Sequence, residues 1–335
     1  MNANWPETWG MIGHAWAVAQ LRQSLRNRRA RHAYLLVGPE SVGKRTLAQH
    51  FAMALNCLHA DEGARPCGEC SSCQRIMSGN HADMVWSQTD AVSGALRIEE
   101  IRATTAKLAL RPYEGRCRIA ILDAFDRAAP IAQDALLKTL EEPAPQAVLL
   151  LLAESADRVL PTITSRAQTL SLRPVAAPEI ARALRERYQA EPELARLLAQ
   201  ACGGRPGWAI RALSDPALLE ARAQALDALQ ALLGQNRAGR FAAAEALAKD
   251  KQALLGQLQL WQSFWRDVLL ANEATGLPPA NPDRAEYSAA LAAHLTPEAA
   301  LKALQATRSG ITTISTTNAS PRMALEVMLL DYPGL

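Results

Sequence analysis

The 335-residue sequence has no apolar run reaching the roughly 18 residues needed to cross a bilayer. Its opening, Met1 to Gly10, is polar apart from two tryptophans and does not read as a secretory signal. A cytoplasmic protein with no membrane association is therefore expected. Strong charge is also missing: a net charge of +3 is too mild to imply nucleic-acid binding from composition. Acidic residues are locally absent between Glu7 and Glu40, and Arg22, Arg26, Arg28, Arg29 and Arg31 fall in that gap. They read as a solvated helix face with its exit turn, or as a surface for phosphates or an acidic partner. With 49% hydrophobic and 21% charged residues the chain is not disordered, and it can bury full cores in two or three domains. Two further absences are chemical: no hydroxyl residue follows Lys44, and no glutamate follows Asp123.

Those two positions matter because of what surrounds them. Gly38 to Arg45 reads GPESVGKR, a Walker-type phosphate loop with Gly38, Gly43 and Lys44 in place. Such a loop cradles phosphates with backbone amides at a helix amino terminus, and its lysine reaches the outer phosphates. Arg45 stands where a Ser or Thr would hold Mg²⁺. Thr46 does not compensate, since one more residue turns the side chain by about 100° around the helix. Further on, the apolar stretch Ile119 to Leu122 leads to Asp123, which could still accept a metal-bound water, while Ala124 cannot orient or deprotonate a nucleophile. Asp126 reads as a local cap or pairing partner. The loop is either a retained shape or a weak, Mg²⁺-poor nucleotide site; efficient ATP hydrolysis by the chain alone is not expected.

Periodicity supplies the context that such a loop requires. A helical pattern around Trp16, Leu21 and Leu25 precedes a strand at Tyr34–Val37, and Lys44 opens a helix running to about Cys57. Strands are then expected at 82–86, 119–122, 148–152 and 168–172, with helices at 98–110 and 129–140. Pro143 ends the last of these helices. Continuous apolar strands alternating with helices predict an α/β fold with a parallel sheet covered on both faces. From Ala177 onward the pattern is helical. A glycine break lies within Ala201–Leu213, a Gly/Pro/Asn loop spans Ala274–Asp283, and helices are expected at Thr296–Thr307 and Pro321–Leu330. Helices this apolar pack into a bundle, which can also oligomerise.

Six cysteines are present, four of them within 17 residues: Cys57, Cys67, Cys70 and Cys73. In a reducing compartment this spacing predicts a closed tetrahedral zinc site stapling an insertion, with an iron–sulfur centre as the competing reading. Cys117 and Cys202 read as small apolar residues. His14 and His32 read as local hydrogen-bonding residues, and Trp261 and Trp265, four apart on one helix face, as core or interface. Arg166 sits in a Thr-Ser-Arg turn before a core strand. By itself it reads as a surface ion-pairing residue, although an arginine supplied across an interface can stabilise a neighbour's transferring phosphate.

Taken together, His32 to Ala48, Cys57 to Cys73, Leu108 to Arg127, Asp134 to Pro143, Leu160 to Gln168 and the NASPRMALEVMLL stretch resemble one family over essentially the whole chain. It is the delta-prime family of bacterial DNA polymerase III clamp-loader subunits, within the AAA+ class. The resemblance implies an AAA+ domain over 1–175 with a zinc insertion at 57–73, a small helical lid over 176–213, and an all-α collar over 214–335. It implies a noncatalytic stator that helps motor subunits load a sliding clamp onto primer-template DNA. The implied partners are gamma/tau and delta in a pentamer within the nucleoid-associated replisome. Arg166 would act in trans on ATP held by a neighbouring motor subunit, while Lys44 and Asp123 match nucleotide-site positions whose ATP or ADP the Arg45 and Ala124 departures put in doubt. Ala167 replaces the usual cysteine after the finger, Gly207 stands at the place of a sensor arginine, and Arg205 is a displaced candidate for it. An ATP-hydrolysing motor subunit and a zinc-bearing nucleic-acid adaptor are the alternatives.

Overall fold

A computed structural model describes residues 5–90, 94–317 and 319–334. The first four residues of the polar opening, Asn318 of the carboxyl-terminal signature and Leu335 lie outside the described residues. The chain divides into two compact units, Met1–Ala183 with Gly204–Trp208, and Leu184–Gly203 with Ala209–Leu335.

The first unit is an α/β domain. Its order is α1 (Trp5–Thr8), α2 (Ala15–Arg26), β1 (Ala33–Val37), α3 (Lys44–Asn56), α4 (Ser71–Met77), β2 (Met84–Trp86), α5 (Ile98–Leu108), β3 (Arg118–Leu122), α6 (Pro130–Asp134), α7 (Leu137–Glu141), β4 (Ala147–Ala153), α8 (Pro161–Thr164) and β5 (Gln168–Ser171). The strands form one sheet in the order β2-β3-β4-β1-β5, and every pairing is parallel. All seven residues of β4 are buried, which explains its unbroken apolar sequence: a central parallel strand has no solvated side. Successive side chains of the central strands alternate between two cores. Tyr34, Leu36, Leu150 and Leu152 join Leu47 and Phe51 of α3 on one face. Leu35, Leu149 and Leu151 join Ile101 and Leu136 on the other.

Parallel pairing also sorts the connections by edge. The β1–α3 loop and Asp123, which follows β3, lie at the carboxyl edge of the sheet, where ligands bind in open α/β sheets. Arg166 precedes β5 and therefore lies at the opposite, amino edge.

Helix α9 (Ala177–Tyr188) leads onward to α10 (Pro192–Ala201), α11 (Pro206–Ser214), α12 (Pro216–Leu233), α13 (Arg237–Leu247), α14 (Lys251–Asn272), α15 (Ala285–His294), α16 (Pro297–Thr316) and α17 (Pro321–Leu330). The core of the second unit gathers around Trp261, Phe264, Trp265 and Tyr332. Both tryptophans at the four-residue spacing are fully buried, and Trp261 Nε1 donates to the Ala225 carbonyl at 2.7 Å. Arg240 of α13 ties this bundle together, donating to the carbonyls of Leu232, Leu233 and Gln235 beside the end of α12, and of Leu329, Tyr332 and Pro333 beside the end of α17.

Beyond shifts of one or two residues at element ends, two expected elements differ in extent. The helix expected over 129–140 is two short helices, α6 and α7, interrupted at Ala135–Leu136. Beside the break, the buried Gln133 side chain donates to the Ala128 and Arg158 carbonyls and accepts from Leu160 N–H, so tertiary contacts hold the segment there. The helix expected to end at Thr307 continues to Thr316 through Gly310, where α17 comes so near that a Cβ would stand 3.0 Å from Met328 Sδ.

Candidate functional site

The glycine loop follows β1 without slack. Gly38 N–H donates to the Ala153 carbonyl at 3.1 Å, and a Cβ on Gly38 would lie 2.4 Å from the Leu172 carbonyl oxygen, so no larger residue fits. Lys44 opens α3, but its ammonium bends back onto the loop, donating to the Gly38 carbonyl and, at 3.0 Å, to the Pro39 carbonyl. Burial lowers its pKa, an effect partly offset by Glu154, Asp123, Asp126 and Glu40. His14, immediately before α2, contacts the Val42 carbonyl through Nε2 at 3.1 Å. Its pKa is likewise lowered, chiefly by burial.

Arg45 turns inward. Its Nε and Nη2 both donate to Asp123 Oδ2, the Nε bond at 3.1 Å, and its guanidinium carbon lies 5.5 Å from the centre of the Trp86 ring. The other Asp123 oxygen accepts from Ala124 N–H at 2.9 Å. The carboxylate that a magnesium site would use is thus occupied by a fixed cation. Asp126 pairs locally: Oδ2 accepts from Ser155 N–H at 3.4 Å and faces Arg158 at 3.8 Å. Gly207 also closes on the loop, with its N–H donating to the Ser41 carbonyl at 2.9 Å. A Cβ there would meet that same oxygen at 2.9 Å. The arrangement pairs Asp123 with Arg45, and the residue that follows Lys44 offers a guanidinium where a hydroxyl would be needed.

At the other edge Arg166 is exposed. Its Nη1 donates to the Thr162 carbonyl at 2.9 Å, and Nη2 pairs with Glu141 at 2.9 Å. Both side chains of that pair are substantially solvated, so the contact is weak and readily exchanged for another anion.

The four clustered cysteines converge. Cys57 follows α3, Cys70 caps α4 and Cys73 lies within it, and the four Sγ atoms are all within 4.8 Å of one another. Zn–S bonds of about 2.3 Å at tetrahedral angles require sulfurs about 3.8 Å apart, which this cluster meets with slight contraction. Backbone N–H groups of His59 and Cys67 point at Cys57 Sγ, that of Cys70 at Cys67 Sγ, and those of Leu58 and Cys73 at Cys70 Sγ. Donors aimed at sulfur favour thiolate, the ligand form. A proton shared with Cys73 holds the Cys57 thiol below its ordinary value and pushes Cys73 up. The cluster can hold one metal ion. Cys202 is buried as expected, and Cys117 partly so.

The arginine group divides. Arg22 is structural, donating to the Glu7 and Gly63 carbonyls at 3.4 and 3.2 Å, while Arg26, Arg28, Arg29 and Arg31 carry no ion pair among the described residues. Sequence reasoning missed Asp83. Fully buried, it accepts the backbone N–H groups of Tyr113, Glu114 and Gly115 at 2.7–2.9 Å and pairs with Arg118 at 3.2 Å. Burial pushes its carboxyl up, but those amides and Arg118 outweigh burial and hold it below the ordinary range. A lone aspartate before a strand carries no sequence signal for that role.

Comparison with known proteins finds sequence similarity along most of the chain. The family model described as DNA polymerase III, delta subunit, matches residues 13–176, and the one described as its C terminal part matches residues 216–332. The delta' subunit of Pseudomonas aeruginosa DNA polymerase III is 36% identical over 208 residues, covering 61% of this chain and 62% of that protein. The delta' subunit of Bacillus subtilis is 36% identical over 179 residues, 53% of each chain. The tau subunit of Escherichia coli is 32% identical over 237 residues, 68% of this chain and 36% of that protein. The chain therefore spans less than two thirds of each of these relatives. A gamma subunit-related protein of Thermotoga maritima aligns in structure over 93% of this chain and 97% of its own, at 15% identity and a TM-score of 0.42.

Proposed function

Because the chain belongs to the DNA polymerase III delta/delta-prime family of AAA+-related clamp-loader subunits, we propose that it is the noncatalytic stator of a clamp loader. In this reading it works in the cytoplasm with gamma/tau motor subunits and a delta subunit in a pentamer. The assembly opens a sliding clamp and closes it on primer-template DNA. The observation that carries the proposal is the Arg45–Asp123 pair, a guanidinium in the place of the metal that ATP hydrolysis needs. No efficient ATPase activity of the isolated chain is expected.

Residues 1–175 would form the AAA+ domain with its insertion at 57–73 holding a structural zinc, 176–213 the lid, and 214–335 the collar. On α17, Met323, Val327 and Leu330 recur at helical spacing and stand 66%, 65% and 50% exposed, an apolar face suited to packing against a neighbouring subunit. Arg166 would leave Glu141 and reach the ATP of an adjacent motor subunit, stabilising charge that develops on the transferring phosphate. Lys44 and Asp123 would serve as internal ties.

The test is Arg166→Ala in a reconstituted loader. Assembly mass should be unchanged, while hydrolysis at the one site it serves falls by about a thousandfold, seen as loss of that site's share of DNA-stimulated turnover. Unchanged turnover and clamp loading would refute the role.

A further inference from the structure

A second concave site lies at the amino edge of the sheet, away from the glycine loop. It is a cavity of about 330 Å³ between α5, α7, the residue before β1 and the start of β4. That volume is in the range of small-ligand pockets. Its inner wall is apolar, formed by Leu108, Leu140 and Leu149, all nearly or fully buried.

The remaining lining is polar in part, and two of its three charged residues are cations. Arg102 of α5 and Lys138 of α7 both line the cavity, both are exposed, and neither has an ion-pair partner among the described residues. Glu142 is the one carboxylate in the lining, so the site carries an excess of positive charge. His32 also lines it. Its backbone carbonyl is committed to Leu149 N–H at 2.7 Å, but its Nε2 is closed off from solvent and has no hydrogen-bond partner. A buried polar atom left unpaired is unfavourable, and an acceptor bound in the cavity that His32 lines would relieve it.

An apolar floor, two unpaired cations and an unsatisfied imidazole nitrogen specify one kind of occupant. We propose that this cavity binds a small amphipathic anion, a carboxylate on an apolar body. The body lies on Leu108, Leu140 and Leu149, and the carboxylate faces Arg102 and Lys138 within reach of His32. A cation of the same shape is excluded by Arg102 and Lys138, and a neutral isostere forgoes the charge-assisted bonds. None of these residues belongs to the glycine loop, the cysteine cluster or the Arg166 turn, so the inference stands or falls independently of the clamp-loader role.

The experiment uses the full-length chain and the fluorescent anion 1-anilinonaphthalene-8-sulfonate as reporter, with octanoate and 1-octanol as competitors. One binding site is expected, from which octanoate displaces the reporter and octanol at equal concentration does not. Removing either cation, by Arg102→Ala or Lys138→Ala, should weaken octanoate by about tenfold, the loss of one charge-assisted contact. Ala109→Phe, which fills the cavity, should abolish competition with the melting curve unchanged; Ala106→Phe on the same wall replaces it if that variant fails to fold. Equal displacement by octanol, unchanged affinity in both alanine variants, or undiminished binding in a folded cavity-filled variant would each overturn the proposal.

Discussion

Replacing Arg240 with methionine isolates the largest single tie in the helical unit. The residue is 6% exposed and its three guanidinium nitrogens serve six carbonyls, with no carboxylate among its hydrogen-bond partners. Its charge therefore meets the negative ends of two helices, α12 and α17, rather than a counter-ion. Methionine keeps an apolar stem of similar length and removes every donor. Counting each nitrogen once, because the bonds are shared, and allowing about 1–1.5 kcal/mol net apiece gives a loss of about 3–4.5 kcal/mol. That corresponds to a fall of roughly 10 °C in melting temperature for a unit of this size. Urea unfolding should show a lower midpoint at unchanged slope, and hydrogen exchange should quicken in α17 before the α/β unit is affected. Arg240→Lys, with one nitrogen instead of three, should fall between. A loss below about 1 kcal/mol, or exchange that quickens uniformly, would refute the reasoning.

Further outcomes follow from the same geometry. The purified chain should carry about one zinc ion, and Cys73→Ser should abolish it and loosen residues 57–77 while the sheet stays protected, as read by metal analysis and hydrogen exchange. Arg45→Ser should leave the melting temperature nearly unchanged, since the ion pair it breaks is largely solvated, yet raise Mg²⁺-dependent nucleotide affinity by about tenfold in a fluorescent-analogue titration. No gain would mean that the guanidinium is not what bars the metal. Asp83 has a folded pKa below its unfolded value of about 3.8, so its stabilisation is complete above that pH and is lost as pH falls through the folded value. Asp83→Asn should cost about 3 kcal/mol at neutral pH, and the difference from the parent should shrink in acid denaturation series.

Much of the first unit was legible because local signals agreed. The apolar run at 148–152 falls within a fully buried strand, the Gly38–Lys44 loop joins β1 to α3, and the four cysteines meet. What escaped was set by contacts distant in sequence. Nothing near Ala135 marks the break between α6 and α7; it lies beside Gln133, which bonds to residues 158 and 160. The helix expected to end at Thr307 runs on through Gly310, whose missing side chain leaves room for α17. Arg45 was legible as the wrong residue for a metal ligand, whereas its partnership with Asp123, 78 positions away, required the fold. The same holds for Glu141 against Arg166, a surface pairing that sequence alone could suggest in kind but not in partner.

A guanidinium bonded to the carboxylate that a divalent ion would need gives one corner of this protein a cation of its own. Loops that fold around magnesium and a nucleotide change shape as those solutes come and go. This one carries a cationic partner for Asp123 in its own covalent chain, so that carboxylate is paired without added magnesium. In the proposed stator, such a corner would serve as a fixed reference against which fuel-driven neighbours push.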